Sequence, residues 1–492
     1  MPHIDGAAVT AAVAETADVV IVGTGAGGAV TAAALAEAGL KVVLLEEGAY
    51  VRGEQMNGKP TEMFDLLYRD RGLSGTAGLP PIPVPLGKAV GGTTVINSAT
   101  CFRTPANVLQ KWEQVHGVAG ATALDPFYAE VERDLDIKPI PDRIYGAQAR
   151  RFEAASTALG YRGRRIPRNE RDCDGIGVCA FGCPRDAKQS MAVSYVPRAL
   201  QAGARLFSRA KAAHVVLERG AAQGVRGQFL DAAGRPGGVS FEIRAPRVVV
   251  AAGALFTPAL LMRSGVKNPL LGRNLHLHPA TRVVAKYPDA VAGWGEVPQA
   301  YNIDEFIDEG IFIQGQFVPP SVQAPNVPGF GQVHQARMRD FERFGSFGAL
   351  ISDESAGRVF KNGVAWYALN RTDTEKLRRA IAITTRVFLQ AGAVEVYTGV
   401  AVQPIVRNGG ELDLLRERPV KAADIEMMAF HPMGTAAAGA DGGQGVTDAY
   451  GAVYGVRGLF VADTSLFPTS NRINPQLTLM AWALRNARRM AG

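Results

Sequence analysis

The stretch Asp18 to Gly48, DVVIVGTGAGGAVTAAALAEAGLKVVLLEEG, constrains this chain more than any other. Its opening run Val19 to Val22 is continuously apolar and stops at a glycine turn, the pattern of a parallel strand buried on both faces. Gly23 lets the chain turn sharply, Gly25 removes the Cβ that would block a pyrophosphate, and Gly28 lets the following helix lie close on the strand. That helix, Ala26 to about Ala38, aims its N-terminal N–H groups and positive dipole end at the phosphates, and Gly39 ends it. A second buried strand, Lys41 to Leu45, delivers Glu46, whose carboxylate can accept the hydroxyls of an adenosine ribose. Glu47 is a spare candidate, but alternation at the strand end leaves only one of the two facing a ligand. Strand, glycines, helix, strand and acid in register point to an adenine dinucleotide without separating FAD from NAD.

At 492 residues the chain can form two large domains, or one with a substantial insertion. The +7 net charge is scattered, with no basic tract, which argues against nucleic acid as a partner. No window of eighteen apolar residues is present, and the N-terminus lacks a basic segment followed by an apolar one. The expectation is a cytoplasmic chain without a transmembrane segment, unless a partner subunit carries it out of the cell.

Further motifs follow in order. Gly91 and Gly92, then Thr93 and Thr94, within GKAVGGTTVINSATCFRTP, mark a second close approach of backbone to ligand. Arg247 to Ala252 is another buried strand, ending in Gly253, and GALFTPALLMRSGV reads as a turn and helix with Pro258 near its start. The alternation in NLHLHP puts His276 and His278 on one side of a strand, where they read as hydrogen-bonded structural histidines, or else as a pair near the cofactor. Thr374 to Gln390 is a helix with Leu377, Ile381, Thr384, Val387 and Phe388 on one face. Phe312, Phe317, Trp366 and Tyr367 are candidate walls of an apolar pocket. Near the C-terminus stand FHPMGT, Phe430 to Thr435, and a buried strand, Leu459 to Ala462, that ends on Asp463 and leads to a helix near Pro475.

These segments together resemble the glucose–methanol–choline (GMC) family of flavoprotein oxidoreductases, with the long-chain alcohol oxidase branch nearest, over nearly the whole of Asp18 to Arg489. The resemblance makes the dinucleotide FAD. It implies an α/β fold: a discontinuous Rossmann-like FAD-binding domain (15–105, 186–286 and 421–492), an insertion with helices and a cysteine-rich loop (106–185), and a substrate domain (287–420) whose antiparallel sheet is backed by helices. It assigns Gly91, Gly92, Thr93 and Asn97 to the flavin segment, and Asp463 and Pro475 to the ribityl and pyrophosphate region. In some members a histidine just before that asparagine is bonded to the flavin; Ile96 stands there, so FAD is expected to be non-covalent. Lys267 replaces a usual glycine at the end of the second signature.

The resemblance also makes His431 and Asn474 the catalytic pair, although several members carry a second histidine in place of Asn474. The roles suit the residue types: neutral imidazole takes a hydroxyl proton as hydride leaves the carbon for flavin N5, and an amide holds the same oxygen. An alcohol would thus become an aldehyde or ketone, with electrons passing to an acceptor other than NAD. An O₂-using long-chain alcohol oxidase and a flavin-containing lyase cleaving cyanohydrins are the alternatives. No GxSxG elbow and no zinc-type histidine pair is present.

The loop CDGIGVCAFGCP adds a last feature. Cys173, Cys179 and Cys183 match three of the four places of a bacterial ferredoxin run, with Ile176 at the missing one. One reading is a [3Fe–4S] centre on those three thiolates, relaying electrons from FAD to a cytochrome or other acceptor subunit. The other is a cysteine-rich segment without iron, as in the long-chain alcohol oxidase branch. Cys101, in the flavin segment, reads as a small buried residue.

Overall fold

A computed structural model describes residues 2–492. Its centre is a sheet of six parallel strands: β1 (His3–Asp5), β2 (Val19–Val22), β3 (Val42–Leu45), β4 (Arg205–Ser208), β5 (Arg247–Val250) and β6 (Leu459–Val461), in the order β1-β4-β3-β2-β5-β6. The runs VVIV and VVLL are buried at every position, as strands covered by helices on both faces require. Helix α1 (Ala26–Glu37) leads from β2 to β3, and β5 lies on the other side of β2. The chain therefore changes direction between β2 and β5, and a crevice opens at their C-terminal ends, where doubly wound sheets bind ligands.

Close packing at that crevice depends on missing side chains. A Cβ on Gly28 would lie 2.1 Å from the Gly23 carbonyl oxygen, and one on Gly27 would lie 1.8 Å from that of Ala462. Helix α2 (Gln476–Ala491) rests against α1 and starts at the same crevice. β1 begins well before residue 15, pairing with β4 from a stretch the sequence reading left without structure.

Two results in the middle of the chain depart from the sequence reading. The segment 186–286 assigned to the Rossmann-like domain is not parallel sheet throughout; ahead of β5, Ala210–Glu218, Ala221–Leu230 and Pro236–Arg244 form antiparallel strands, joined to Val13–Thr16. The first hairpin turns at Arg219 and Gly220, both at positive φ, which suits a tight two-residue connection. The second departure is the reach of the larger antiparallel sheet. Val283–Lys286 lies inside it, between Phe344–Ile351 and Glu395–Tyr397, and Gly163–Arg165 forms its far edge beside Tyr301–Ile303. Ile311–Gly315 pairs with Phe344–Ile351. The long helix Arg371–Gln390 backs this sheet with Leu377, Ile381, Thr384, Val387 and Phe388 all buried. It starts three residues before Thr374 because the Asn370 side chain accepts the Asp373 N–H and caps it. Among the described residues no helix is long and apolar enough to cross a membrane.

Candidate active site

The crevice and the inner face of the antiparallel sheet enclose one continuous cavity of about 860 Å³. Its floor is backbone. Gly23 sits at φ +100°, where a Cβ would meet the Ala251 carbonyl oxygen at 2.2 Å, whereas a Cβ on Gly25 would meet nothing within 4 Å. Gly25 thus opens onto free space at the N-terminus of α1, the position a pyrophosphate needs. The second glycine loop closes against the first. Gly91 N–H donates to Thr24 Oγ1 at 2.9 Å, and a Cβ on Gly92 would lie 2.9 Å from Gly25 Cα. Thr93 Oγ1 accepts the Gly87 N–H, while Asn97 accepts from Ala99 N–H and donates to Gln476 Oε1 at 2.7 Å.

Three carboxylates border this half. Glu46 accepts from Thr24 N–H, Thr24 Oγ1 and Gly48 N–H at 3.1, 2.7 and 2.9 Å; burial pushes its carboxyl up against those bonds. Burial also raises Glu47, but the charge and hydrogen bonds of Arg69 outweigh it and bring Glu47 down to about 2. Glu46 and Glu47 both line the cavity, so strand-end alternation does not separate them. Asp463, also lining, stitches β6 to its neighbours by accepting from Gly253 N–H, Ser465 N–H and the hydroxyls of Thr257 and Ser465. Pro475 stands as the N-cap of α2, whose positive end faces the cavity. These groups fit FAD: an open glycine cradle, two helix N-termini and acceptors at the strand ends.

Across the cavity lies a chain of side chains. His431 opens onto the space, with Asn474 Nδ2 at 3.4 Å from its Nε2 and His278 Nδ1 at 3.3 Å from its Nδ1. His278 is fully buried and bonds through Nε2 to the Ser470 hydroxyl, which also accepts from Ser352 at 2.9 Å. The two partners of His431 select one tautomer. Asn474 donates toward Nε2, which must accept, so the ring proton resides on Nδ1 and points at His278. Burial, and then His278, hold His431 well below the ordinary imidazole value, leaving it neutral at pH 7.

His278 itself stands at φ +50°, an uncommon conformation for a side-chain-bearing residue. Buried Asp353 holds the bend by accepting from Leu277 N–H (2.9 Å) and His278 N–H (3.4 Å), and Tyr367 donates to the same carboxylate at 2.8 Å. His276 lies 3.6 Å from Asp353; although burial lowers it, that carboxylate raises it above the ordinary value. The bend also breaks the simple strand alternation of NLHLHP. His278 meets His431 from behind, as a buried, hydrogen-bonded residue that does not itself line the cavity. Ser470, Asp353 and Gln476 were not singled out in the sequence, and only the HxHP spacing hinted at His278.

Other sequence candidates divide. Of the four wall aromatics only Phe317 lines the cavity; Phe312 is buried behind it, Tyr367 serves Asp353, and Trp366 is 45% exposed. Ile96 lines the cavity at the place of the flavin-bonded histidine. The three-cysteine iron–sulfur site is not supported. Cys173 packs at the edge of the antiparallel domain's core, Cys179 Sγ accepts from Arg168 at 3.5 Å, and Cys183 Sγ accepts from Lys188 N–H at 3.5 Å. Two of the sulfurs thus already accept hydrogen bonds from the protein, and among the described residues no group of three or more His, Cys, Asp or Glu side chains is placed to hold a metal. Cys101 is buried, as expected.

Two family models described as GMC oxidoreductase match residues 64–280 and 364–483, and one described as an NAD(P)-binding Rossmann-like domain matches residues 21–65. The chain belongs to the GMC oxidoreductase family and is an FAD-dependent oxidoreductase acting on CH–OH donors. It is 40% identical over 477 residues to the uncharacterized GMC-type oxidoreductase Rv0492c of Mycobacterium tuberculosis, covering 95% of this chain and 75% of that one. Against the long-chain-alcohol oxidase FAO4B of Arabidopsis thaliana identity is 28%, over 95% of this chain and 66% of the relative. Among solved structures, pyridoxine 4-oxidase from Mesorbium loti superposes with a TM-score of 0.73 at 19% identity, covering 96% of this chain and 98% of the other, a likeness of fold.

Proposed function

We propose that this protein oxidises an alcohol to an aldehyde or ketone, with His431 Nε2 as the base that takes the hydroxyl proton and Asn474 as the group that holds the same oxygen. The observation that carries the reading is the pairing of a neutral His431 with Asn474 at the mouth of its Nε2, inside the cavity that also contains the dinucleotide cradle. Bound FAD supplies the hydride acceptor. Gly23, Gly25 and Gly28, with the N-terminus of α1, would hold its pyrophosphate; Glu46 would accept from the ribose; Gly91, Gly92, Thr93, Asn97, Asp463 and Pro475 would border the rest. With Ile96 in place of a histidine, FAD is held without a covalent bond.

His431 works through its own geometry. Its Nδ1–H is directed at His278, which leaves Nε2 as the accepting nitrogen; Asn474 Nδ2 faces that lone pair at 3.4 Å and would give it up to the substrate hydroxyl, whose oxygen it then holds, and the proton gained at Nε2 is shared along a polar chain through His278 to Ser470. Asn474 Oδ1 is buried with no partner, leaving an acceptor for a group of the bound ligand. The likeness to a long-chain-alcohol oxidase favours an alcohol over a cyanohydrin as substrate. Anaerobic addition of a panel of alcohols tests the reading: bleaching of the flavin with formation of the carbonyl product is expected, whereas cleavage of cyanohydrins with the flavin still oxidised would make the protein a lyase. Acid precipitation should release all FAD into the supernatant.

A further inference from the structure

The wall of the cavity carries a buried cation that the oxidation does not use. Arg282 lies in the short joint between the strands Pro279–Ala280 and Val283–Lys286, is nine-tenths buried and lines the cavity. One end of its guanidinium is occupied: Nη1 donates to Asn326 Oδ1 at 2.8 Å and to the Val322 carbonyl at 3.5 Å. The other edge is free. Nε is buried with no hydrogen-bond partner, and Nη2 makes none among the described residues. Among the described residues no carboxylate lies within ion-pair distance of Arg282; Glu426 is reached only indirectly, through Asn326.

Such a charge is costly to keep. A buried guanidinium without a counter-charge forfeits its hydration, and here burial lowers its pKa to about 10 against the distant pull of Glu426. The free Nε–Nη2 edge is the planar fork that pairs with both oxygens of a carboxylate. Two amides stand with it on the cavity wall. Gln314, on the strand Ile311–Gly315, and Gln316, just past its end, both line the space, and Gln314 Oε1 is buried without a partner. Between this polar end and His431 the wall is apolar, with Ala280, Leu350, Met428 and Phe430. The chain bounds the span: Arg282 is four residues from His278, the neighbour of His431, so the Cα atoms of Arg282 and His278 are no more than about 14 Å apart.

We propose that the cavity takes a hydroxy acid, whose carbinol lies at His431 and Asn474 and whose carboxylate, across a short apolar stem, pairs with the free edge of Arg282. This rests on the alcohol-oxidation reading for the carbinol end only. It replaces the wholly apolar alcohol expected from the sequence with one that carries an anionic terminus.

The test uses the flavin-loaded enzyme and matched pairs: ω-hydroxycarboxylic acids of increasing length and their methyl esters. A bidentate charged pair contributes about 10- to 100-fold, so the acid should exceed its ester by that factor in kcat/KM, mostly through KM. In Arg282→Met the acid-to-ester ratio should collapse toward unity. Arg282→Lys, which keeps the charge but loses the fork, should fall between. Straight-chain carboxylates lacking the hydroxyl should perturb the flavin spectrum of the native enzyme and compete with the acid. Equal kcat/KM for acid and ester in the native enzyme would overturn the proposal, as would an unchanged ratio in Arg282→Met. If Arg282→Met yields no flavin-loaded protein, the native ratio and Arg282→Lys decide. Carboxylates that bind in an Arg282-dependent way while no hydroxyl compound bleaches the flavin would leave the carboxylate site standing and remove the alcohol reading instead.

Discussion

The two sides of the cavity are built in opposite ways. The dinucleotide side is made of backbone and small residues, most of it from the thirty residues around α1, and its shape comes from the absence of side chains at Gly23, Gly25, Gly27 and Gly28. The opposite side is made of side chains drawn from far apart: Arg282, Gln314, His431 and Asn474 line the space, His278, Ser352, Asp353 and Ser470 stand behind them, and they meet only once the sheet is assembled. A change on the first side acts by steric exclusion, and a change on the second acts by unpairing a polar group. The difference predicts how each side fails.

The largest effect belongs to the glycine side. Gly28→Val brings branched carbons against the Gly23 carbonyl, whose oxygen would already be 2.1 Å from a Cβ, and is expected to give no flavin-loaded soluble protein. Gly25→Ala is its counterpart: the added methyl meets nothing in the protein, so thermal stability without flavin should stay within about 0.5 kcal/mol while FAD is retained less tightly. Flavin absorbance per chain after desalting separates the two, and equal behaviour would break the distinction.

On the polar wall, His278→Phe removes the acceptor for His431 Nδ1–H. Flavin content should persist, while the anaerobic flavin-reduction rate falls about 10- to 100-fold, as loss of a buried hydrogen bond at the reacting group implies. The same residue carries an acid signature. Burial brings His278 down to about 4, so the folded form resists a proton that the unfolded chain takes up near pH 6.5. Its stabilisation is present above that pH and lost as pH falls toward 4. Denaturant unfolding should weaken by about 2 kcal/mol from this site between pH 7 and 5, and His278→Phe should flatten that limb. His276 has the opposite sign. Asp353 raises it, so its contribution is present below the ordinary imidazole value and fades as pH rises through the raised one. The smallest effect is away from the cavity: Asn370→Ala uncaps the long helix and should cost about 1 kcal/mol, with no change in flavin content.

The same contrast explains what was legible in the sequence. The α1 unit could be read residue by residue because its constraints are local: an apolar run, glycines at fixed spacing, an acid at a strand end. The boundaries of the long helix missed only the turn that Asn370 caps. The wall was less legible, because whether a histidine or arginine faces a cavity depends on strands hundreds of residues apart. His276 and His278 differ by two positions, yet one is tied to Asp353 and the other to His431. Arg282 carries no sequence mark of its own, and its buried, half-paired guanidinium is a property of the assembled sheet. The cysteine spacing left two readings open, with and without iron, for a related reason: matching intervals do not fix where a loop points its sulfurs.

The central claim is that neutral His431 takes the hydroxyl proton, and the pH dependence of anaerobic flavin reduction tests it most directly. A base held well below the ordinary imidazole value is unprotonated at and above pH 6.5, so the native rate should fall only on the acid side of that value. His431→Ala should keep its flavin and lose on the order of 10² to 10⁴ in rate, together with that acid limb. A native profile that falls already above pH 6.5, or a His431→Ala enzyme that reduces its flavin at a near-native rate, would contradict the account.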